Sequence, residues 1–275
     1  MFWPNDIRLV VSISMQFEAG AQGPRAEGPF PPLDPAHPDT ITPTWYAYGM
    51  NEGIPRLLDL WDRHGVKVTS HMVGAAVDLR PDLAREIVAR GHEAAAHGQT
   101  WTPQYSMTEA EERASYAANI AAIERATGVR PVGFNAFWMR QTPRTLSILK
   151  DLGFLYHIDD LSRDEPIRLT VDGGPFVAVP YTHRANDIVR FDSPAMTAAG
   201  FAQDLKDEFD VLYAEAGRRR RMMSISTHDR IAGQPAKVKA LDTFLAHARA
   251  HEGVAFLRKD EIARFALDAD DVPTF

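Results

Sequence analysis

The sequence contains no cysteine among its 275 residues. This absence excludes a thiolate nucleophile, a disulfide framework and any zinc site built on cysteine. A metal ion in this protein would therefore need histidine and carboxylate ligands.

An excess of basic residues is also absent, because 30 Lys and Arg stand against 37 Asp and Glu, a formal net charge of −7. Domains that bind the phosphate backbone of nucleic acids usually carry a basic excess. We expect no nucleic-acid partner, and we interpret the run Arg218–Arg221 as a solvated loop.

The sequence has no long hydrophobic run near its start. The segment MFWPNDIRLVVSISMQF has no basic stretch ahead of its apolar residues, and the apolar stretch is too short to span a bilayer. We expect a cytoplasmic protein without membrane contact. Since the chain also shows neither an internal repeat nor a long linker, we expect one domain over residues 1–275.

Short runs rich in β-branched residues alternate with amphipathic helical segments along the chain. This alternation predicts an α/β fold, with β/α units around a mostly parallel sheet or barrel. The predicted strands are IRLVVSISMQF, VKVTSHM, EAAAH, PVGFNA, FLYHI, FVAVP, MMSIST and VAFL.

Helix boundaries are marked by prolines, capping residues and glycines. Pro81 opens a helix that ends near Gly91, and Thr108 with Glu111 forms a capping box ahead of a helix that Gly128 ends. Further helices are predicted from Thr142 to Gly153, over the apolar repeat 201–212, and over 238–245 after Pro235.

Residues 19–53 are rich in Gly and Pro, so regular elements are hard to sustain there. We predict one long loop that acts as a lid, a subunit contact or a disordered segment. The aromatic residues in TPTWYAYGM suit a subunit contact, although burial in the core explains them equally well.

Ionisable side chains follow four of the predicted strands, at the ends where a β/α barrel gathers its active site. These residues are Glu18, His97, Asp159 with Asp160, and His228 with Asp229. We assign Glu18, His97, His228 and Asp160 to catalysis. The two aspartates have an alternative role, because carboxylates at strand ends often cap the next helix.

Five stretches resemble the polysaccharide deacetylase superfamily, also called the NodB-homology or carbohydrate esterase family four superfamily. They are GHEAAAHGQTW, GIPRLLDLWDRHGVKVTSHMV, VAVPYTHRANDIVRF, FDVLYAEAG and MMSISTHDRIAGQPAKVKAL. The chain is most similar to the branch of metal-independent allantoinases and cyclic-imide hydrolases. The resemblance implies a distorted or incomplete (β/α) barrel and a hydrolase of carbon–nitrogen bonds other than peptide bonds.

The same resemblance bears on metal binding. Deacetylases carry two aspartates after the first strand, a base and a metal ligand, and then a His-x-x-x-His pair of ligands. The matching residues here are Gln16, Glu18, His97 and Trp101. Glu18 and His97 alone supply fewer than the three protein ligands of a catalytic zinc site. We therefore expect no tightly bound metal, with Zn²⁺ at these two residues as the alternative.

A third ligand could come from His71, His92 or Asp229, but structural roles explain these residues better. His71 ends a core strand, and His92 follows a helix terminus whose dipole suits a histidine.

The resemblance also implies roles for other residues. His228 matches a late-chain histidine that acts as general acid, and Trp101 forms a wall of the pocket. Trp138 lies where the allantoinase carries an arginine, which argues against allantoin itself as the substrate. We assign Gln16, Trp101, Trp138 and Asn186 to binding a small-molecule substrate.

Our mechanistic hypothesis is that Glu18 accepts a proton from water, His228 donates one to the departing nitrogen, and His97 orients water or stabilises the oxyanion. The roles of Glu18 and His97 are interchangeable at this level. Zinc lowers the pKa of bound water from 15.7 to roughly 7. A site without it suits an electrophilic carbonyl such as that of a hydantoin or imide.

Two other functions stay open. One is a metal-dependent de-N-acetylase of an amino sugar or polysaccharide, and the other is a non-catalytic barrel that binds a ligand or acts as a scaffold. Because the similar allantoinase is a tetramer, the resemblance also implies a homo-oligomer, either a tetramer or a dimer.

Overall fold

A curled β-sheet organises the part of the chain that the computed structural model describes, which is residues 2–22, 28, 30–31, 33–188 and 196–275. Its strands are β1 (Leu9–Phe17), β2 (Thr69–Met72), β3 (Glu93–Ala96), β4 (Gly133–Phe134), β5 (Tyr156–His157), β6 (Ile167–Val171), β7 (Gly174–Ala178), β8 (Met222–His228) and β9 (Val254–Phe256).

The strand order is β6-β7-β5-β4-β3-β2-β1-β8, and β9 pairs with the start of β1. Every pairing is parallel except that of β6 with β7. An isolated bridge between Asn186 and Ser226 brings the chain after β7 against β8, so the curl nearly closes. The fold is the single-domain, incomplete β/α barrel that the sequence predicts.

Helices surround this sheet. The α-helices are α1 (Thr42–Tyr48), α2 (Ile54–His64), α3 (Gly74–Leu79), α4 (Pro81–Ala89), α5 (Glu109–Thr127), α6 (Thr145–Asp151), α7 (Ala198–Glu215), α8 (Asp229–Ala232), α9 (Pro235–Arg249) and α10 (Lys259–Asp268). A π-helical turn, Gly49–Gly53, joins α1 to α2. Of the helices that the structure describes, none is both long and apolar enough to cross a membrane.

All eight predicted strands are present, and the predicted helices are found, although the one predicted from Thr142 begins at Thr145. Thr108 and Glu111 form the capping box of α5, and Gly91 and Gly128 adopt φ angles of 87° and 74° after their helices. The sequence-based prediction missed β6, which forms an antiparallel hairpin with β7. The run IRLTV mixes apolar and polar residues, because the middle of this strand is only partly buried. It therefore shows no continuous apolar pattern.

The prediction of one irregular loop over residues 19–53 is wrong for its last part, where α1 and the π-helical turn are helical. Pro43 stands in the first turn of α1, where its fixed φ favours a helix. Tyr46 and Met50 are buried, so tertiary packing completes the segment. Residues 23–27, 29 and 32 of the predicted loop lie outside the described residues. A lid or subunit contact stays a prediction.

A buried lysine lies inside the curled sheet below the strand ends. Lys259 Nζ donates to Ser12 Oγ and Ser224 Oγ, at 3.1 Å each. Burial lowers the pKa of Lys259 to about 7, although Glu93 partly opposes this shift. Burial and the nearby Asp260 raise the pKa of Glu93 to about 7. Two buried ionisable side chains, Lys259 and Glu93, therefore lie beside the polar serines of the interior.

Candidate active site

Alternate residues of neighbouring strands share one face of a sheet, and on β1 and β8 these series end in ionisable groups. The series are Ser12, Ser14, Gln16 and Glu18 from β1, and Ser224, Ser226 and His228 from β8. Gln16 lies opposite His228 in the register, so Glu18 projects just above the end of β8. His97 follows β3 in the same way. The alternation along the strands thus delivers these groups to one place.

Glu18 is a fully buried carboxylate with three nitrogen neighbours. Its Oε2 accepts a hydrogen bond from Arg230 Nη1 at 2.9 Å. Its Oε1 lies 3.3 Å from His97 Nε2 and 3.7 Å from His228 Nε2. We call Glu18, His97 and His228 the Glu18 cluster. Burial raises the pKa of Glu18, but His228, His97 and Arg230 together hold it well below its ordinary value. The carboxylate therefore stays ionised.

His228 is held by a second buried carboxylate. Asp187 Oδ1 lies 2.6 Å from His228 Nδ1, and its Oδ2 accepts the His228 backbone N–H at 2.7 Å. An ionised carboxylate only accepts, so Nδ1 carries a proton and Nε2 faces Glu18. Burial lowers the pKa of His228, but Asp187 and Glu18 raise it further, to above its ordinary value. His228 is thereby poised to donate a proton.

His97 has its tautomer set by the backbone. Its Nδ1 lies 2.6 Å from the carbonyl oxygen of Asn135, which can only accept, so Nδ1 is the donor. Nε2 points toward Glu18 Oε1, and because a carboxylate only accepts, a hydrogen bond between the two requires a proton on Nε2. The backbone N–H of His97 donates to Asn119 Oδ1 at 2.8 Å, which fixes the residue at the end of β3.

Aromatic rings stand beside His97. Trp101 packs against it at 4.8 Å between ring centroids, and Phe137 packs on Trp101 at 4.4 Å. Trp138 follows with a left-handed φ of 51° and 47% exposure. The backbone N–H of Trp101 donates to the carbonyl of Ala21, which ties the start of the 19–53 segment to this wall.

Gln16 lies near the end of β1, and Asn186 forms an isolated bridge with Ser226 of β8. Gln16 Nε2 donates to Asn135 Oδ1 and Ser226 Oγ, at 3.3 Å each. Its Oε1 is buried and has no hydrogen-bond partner among the described residues. Asn186 Oδ1 accepts from the backbone of Ile188 at 3.1 Å. Of these two residues, Gln16 is the one with an acceptor still to be satisfied.

The structure does not bring Asp160 into contact with the Glu18 cluster. Its Oδ1 accepts from the backbone N–H and the hydroxyl of Ser162, at 2.7 and 2.6 Å, which is a local turn. Asp159 instead accepts from Asn135 Nδ2 at 2.7 Å and from the Ala136 N–H at 3.0 Å. It supports Asn135, whose carbonyl orients His97. Asp159 therefore supports the site from behind, and Asp160 contributes to a turn.

Residues that the sequence-based prediction did not assign to the site complete it. Asp187 lies in a segment without strand or helix pattern, so nothing local marks it. Arg230 follows His228 by two residues, and that short spacing could have indicated it. Asp229, considered as a ligand, has Oδ2 accepting the backbone N–H groups of Glu18 and Ala19 at 3.1 and 3.0 Å. It fixes the backbone that carries Glu18.

The donor set at the Glu18 cluster does not fit a tightly bound divalent ion. Both oxygens of Glu18 have partners, and Trp101 offers no ligand where the superfamily has a second histidine. Among the described residues, no group of three metal-ligand atoms within 4.8 Å of one another includes Glu18 or His97.

The other two candidate ligands, His71 and His92, lie on or directly before strands of the sheet. The His71 ring lies 6.3 Å from that of His97, and His92 Nδ1 accepts the backbone N–H of Val68 at 3.1 Å. Both ring nitrogens of His71, and Nε2 of His92, are buried without a hydrogen-bond partner among the described residues, so a structural role for these histidines stays a prediction.

Comparison with known proteins gives consistent matches. The family profile described as "Polysaccharide deacetylase" matches residues 38–157. The structure aligns with a probable polysaccharide deacetylase from Pseudomonas aeruginosa PAO1 at a TM-score of 0.89 and 33% identity, covering 97% of this chain and 93% of that one. PuuE allantoinase aligns at 0.89 and 32%, with the same coverage. A putative polysaccharide deacetylase of Schizosaccharomyces pombe is 25% identical over 95% of this chain and 91% of its own length.

Proposed function

This chain belongs to the polysaccharide deacetylase family and is a hydrolase of carbon–nitrogen bonds other than peptide bonds, and we propose that its reaction is the ring opening of a small cyclic amide or imide. The observation that carries this proposal is the position of Glu18 Oε1 between the Nε2 atoms of His97 and His228. Similarity to PuuE allantoinase over nearly the whole chain supports this class of substrate.

His228 is the proton donor in this proposal. Asp187 and Glu18 favour its imidazolium form at neutral pH, and Asp187 fixes the ring so that Nε2 faces the site. A general acid in this position protonates the departing ring nitrogen as the carbon–nitrogen bond breaks. This role agrees with the one that the sequence predicts.

For the proton acceptor we favour His97 over Glu18. A general base works best when its pKa lies near the working pH, and Arg230 and the two histidines hold the pKa of Glu18 far below it. In this proposal His97 keeps its proton on Nδ1 and takes the proton of water at Nε2. Glu18 then stabilises the imidazolium that forms on His97 when water loses its proton.

The surroundings suit a planar ring that carries an N–H group. Trp101 and Phe137 supply an aromatic wall beside His97, and the unpartnered Oε1 of Gln16 can accept a hydrogen bond from the ring nitrogen. Because no bound ion is required to activate the carbonyl in this scheme, imides and hydantoins are better substrates than a plain acetamide.

The test is a panel of substrates offered to chelator-treated protein: hydantoin, dihydrouracil, succinimide, glutarimide, allantoin and chitin oligosaccharides. We expect ring opening of at least one cyclic amide, with His228→Gln and His97→Gln each lowering kcat by about 10²- to 10⁴-fold. His64→Gln, on the outer helix α2, is the matched control. The proposal is contradicted if the protein releases acetate from the oligosaccharides and does so only after metal is added back.

Deacetylation is the second candidate, because a structure of similar identity is named a probable polysaccharide deacetylase. In that case Zn²⁺ would act at Glu18 and His97 with a further ligand, and the same panel separates the two functions. A homo-oligomer and a cytoplasmic location stay predictions.

A further inference from the structure

Arg230 is a buried cation pressed against Glu18. Its side chain is 3% exposed, and Nη1 lies 2.9 Å from Glu18 Oε2 and 3.6 Å from Asp229 Oδ1. The rings of Trp45 and Tyr46 on α1 lie 4.9 and 4.6 Å from its Cζ atom. Helix α1 thus covers the ion pair with two aromatic rings, in the segment where the sequence predicts an irregular loop.

An ion pair in such surroundings is strongly constrained. Arginine stays protonated in proteins, so this guanidinium is a permanent positive charge. A divalent cation on Glu18 would lie close to that charge in a region of low dielectric, where repulsion between like charges is strong. The cation would also have to displace the Arg230 hydrogen bond or accept only the Oε1 oxygen.

We propose that Arg230 is the built-in counter-cation of Glu18, which neutralises the carboxylate as a divalent ion would and keeps such an ion away from it. Arg230 is a positioning residue, since it acts through Glu18. The inference deepens the proposed function and depends on it only in taking the Glu18 cluster as the reaction site. It explains how an ionised carboxylate is held between two imidazoles in a buried place.

The experiment is a Co²⁺ titration of chelator-stripped protein, followed by visible absorption and calorimetry. The background variant is His247→Gln/His251→Gln, which removes a separate surface cluster described below. We expect this protein to show no Co²⁺ binding that depends on Glu18. In Arg230→Met we expect Co²⁺ to bind at least tenfold more tightly than in the background protein. This gain should disappear in Glu18→Gln/Arg230→Met. Arg230→Lys keeps the charge and should behave like the background protein.

Two outcomes overturn the inference. One is a Co²⁺ site in the background protein that Glu18→Gln abolishes, and the other is a folded Arg230→Met protein without any gain of binding. If Arg230→Met does not fold, the titration of the background protein decides alone. Neither measurement uses a substrate. The inference about Arg230 can therefore fail while ring opening is observed, and it can hold while ring opening is not observed.

A second, independent observation concerns Asp210 on α7, His247 on α9 and His251 just after α9, which we call the α7–α9 cluster. One ligand atom from each lies within 4.8 Å of the others. His251 Nδ1 lies 3.0 Å from the His247 carbonyl oxygen, which leaves Nε2 as a lone pair, as in histidines that bind metals. Phe209 packs edge-on against both imidazoles, at 5.5 and 5.0 Å.

We infer that the α7–α9 cluster binds a divalent transition metal such as Zn²⁺, with water completing the coordination. The ion would replace the proton between His247 Nε2 and Asp210 Oδ1, which lie 2.7 Å apart. The ion would link α7 to α9, at residues far from Glu18 in the sequence.

Calorimetry with ZnCl₂ on chelator-stripped protein tests this site. We expect one Zn²⁺ per chain, with affinity at least tenfold weaker in His251→Gln and in Asp210→Asn. The His64–Asp242 pair, also at 2.7 Å but without a second histidine in the group, offers a matched control, so His64→Gln should bind as before. No Zn²⁺ binding, or binding that His251→Gln leaves unchanged, overturns the inference.

Discussion

Asp187 Oδ1 lies 2.6 Å from His228 Nδ1, although 41 residues separate the two in the sequence. The same carboxylate accepts the backbone N–H groups of His228 and Ala232, at 2.7 and 3.1 Å. One buried aspartate therefore fixes the position, the tautomer and the charge of the imidazole at the end of β8.

Replacement of Asp187 by Asn should lower kcat by about 10²- to 10⁴-fold, because the amide neither favours the imidazolium nor guarantees a proton on Nδ1. The pKa of His228 is raised in the folded protein, so the donor is present below that pKa and is lost as the pH rises through it. The alkaline limb of the kcat profile should move to lower pH in Asp187→Asn. A profile that keeps its position contradicts this role.

Glu18→Gln should destabilise the protein by about 3–5 kcal/mol, because it leaves the guanidinium of Arg230 buried beside a neutral partner. Glu18→Gln/Arg230→Met should recover much of that loss. Denaturant unfolding of the single and double variants gives the coupling. If the two single losses simply add, the ion pair does not hold this region together.

The pKa of Glu18 also predicts how stability changes in acid. Because the folded pKa is lowered, its contribution is fully present above the ordinary value of 4.5 and is lost as the pH falls through the folded pKa. Unfolding measured below pH 4.5 should show a smaller loss of stability in Glu18→Gln than in the wild type. If both proteins lose the same stability in acid, Glu18 does not carry a buried charge in the folded protein.

Lys259 predicts a slope on the alkaline side. Its folded pKa of about 7 lies below the ordinary 10.5, so between these values the unfolded chain binds more protons and stability rises with pH. Lys259→Met should flatten that rise. The exposed Lys239→Met is the control, and it should keep the wild-type slope. Thermal unfolding from pH 7 to 10 provides the measurement, and an unchanged slope in Lys259→Met refutes the assignment.

Gly53→Ala should disturb the site from a distance. A Cβ atom at Gly53 would overlap the backbone carbonyl of Asp229, and one at Gly49 would lie 2.6 Å from the Asp229 carboxylate carbon. Overpacking of this kind costs about 1–3 kcal/mol and should shift the segment that carries His228 and Arg230. We expect kcat to fall together with stability. Gly217→Ala meets only Arg8 Nη2, at 3.8 Å, so both quantities should stay normal.

The sequence by itself determined the fold and the three central residues. Alternation along β1 and β8, with capping patterns between them, is local information, because a strand repeats every two residues and a helix cap depends on neighbours three apart. Since parallel strands end at one edge, Glu18, His97 and His228 could be predicted to meet there.

Only the tertiary structure decided which groups surround them. Asp187 pairs with His228 across 41 residues and Arg230 pairs with Glu18 across 212, and only the position of Arg230 two residues after His228 gives a local sign of either pairing. The same packing makes α1 helical within the predicted loop, and it leaves Asp160 in a turn. The charge state of Glu18 depends on its burial and on His228, His97 and Arg230 together, because electrostatic fields act through space and not along the sequence.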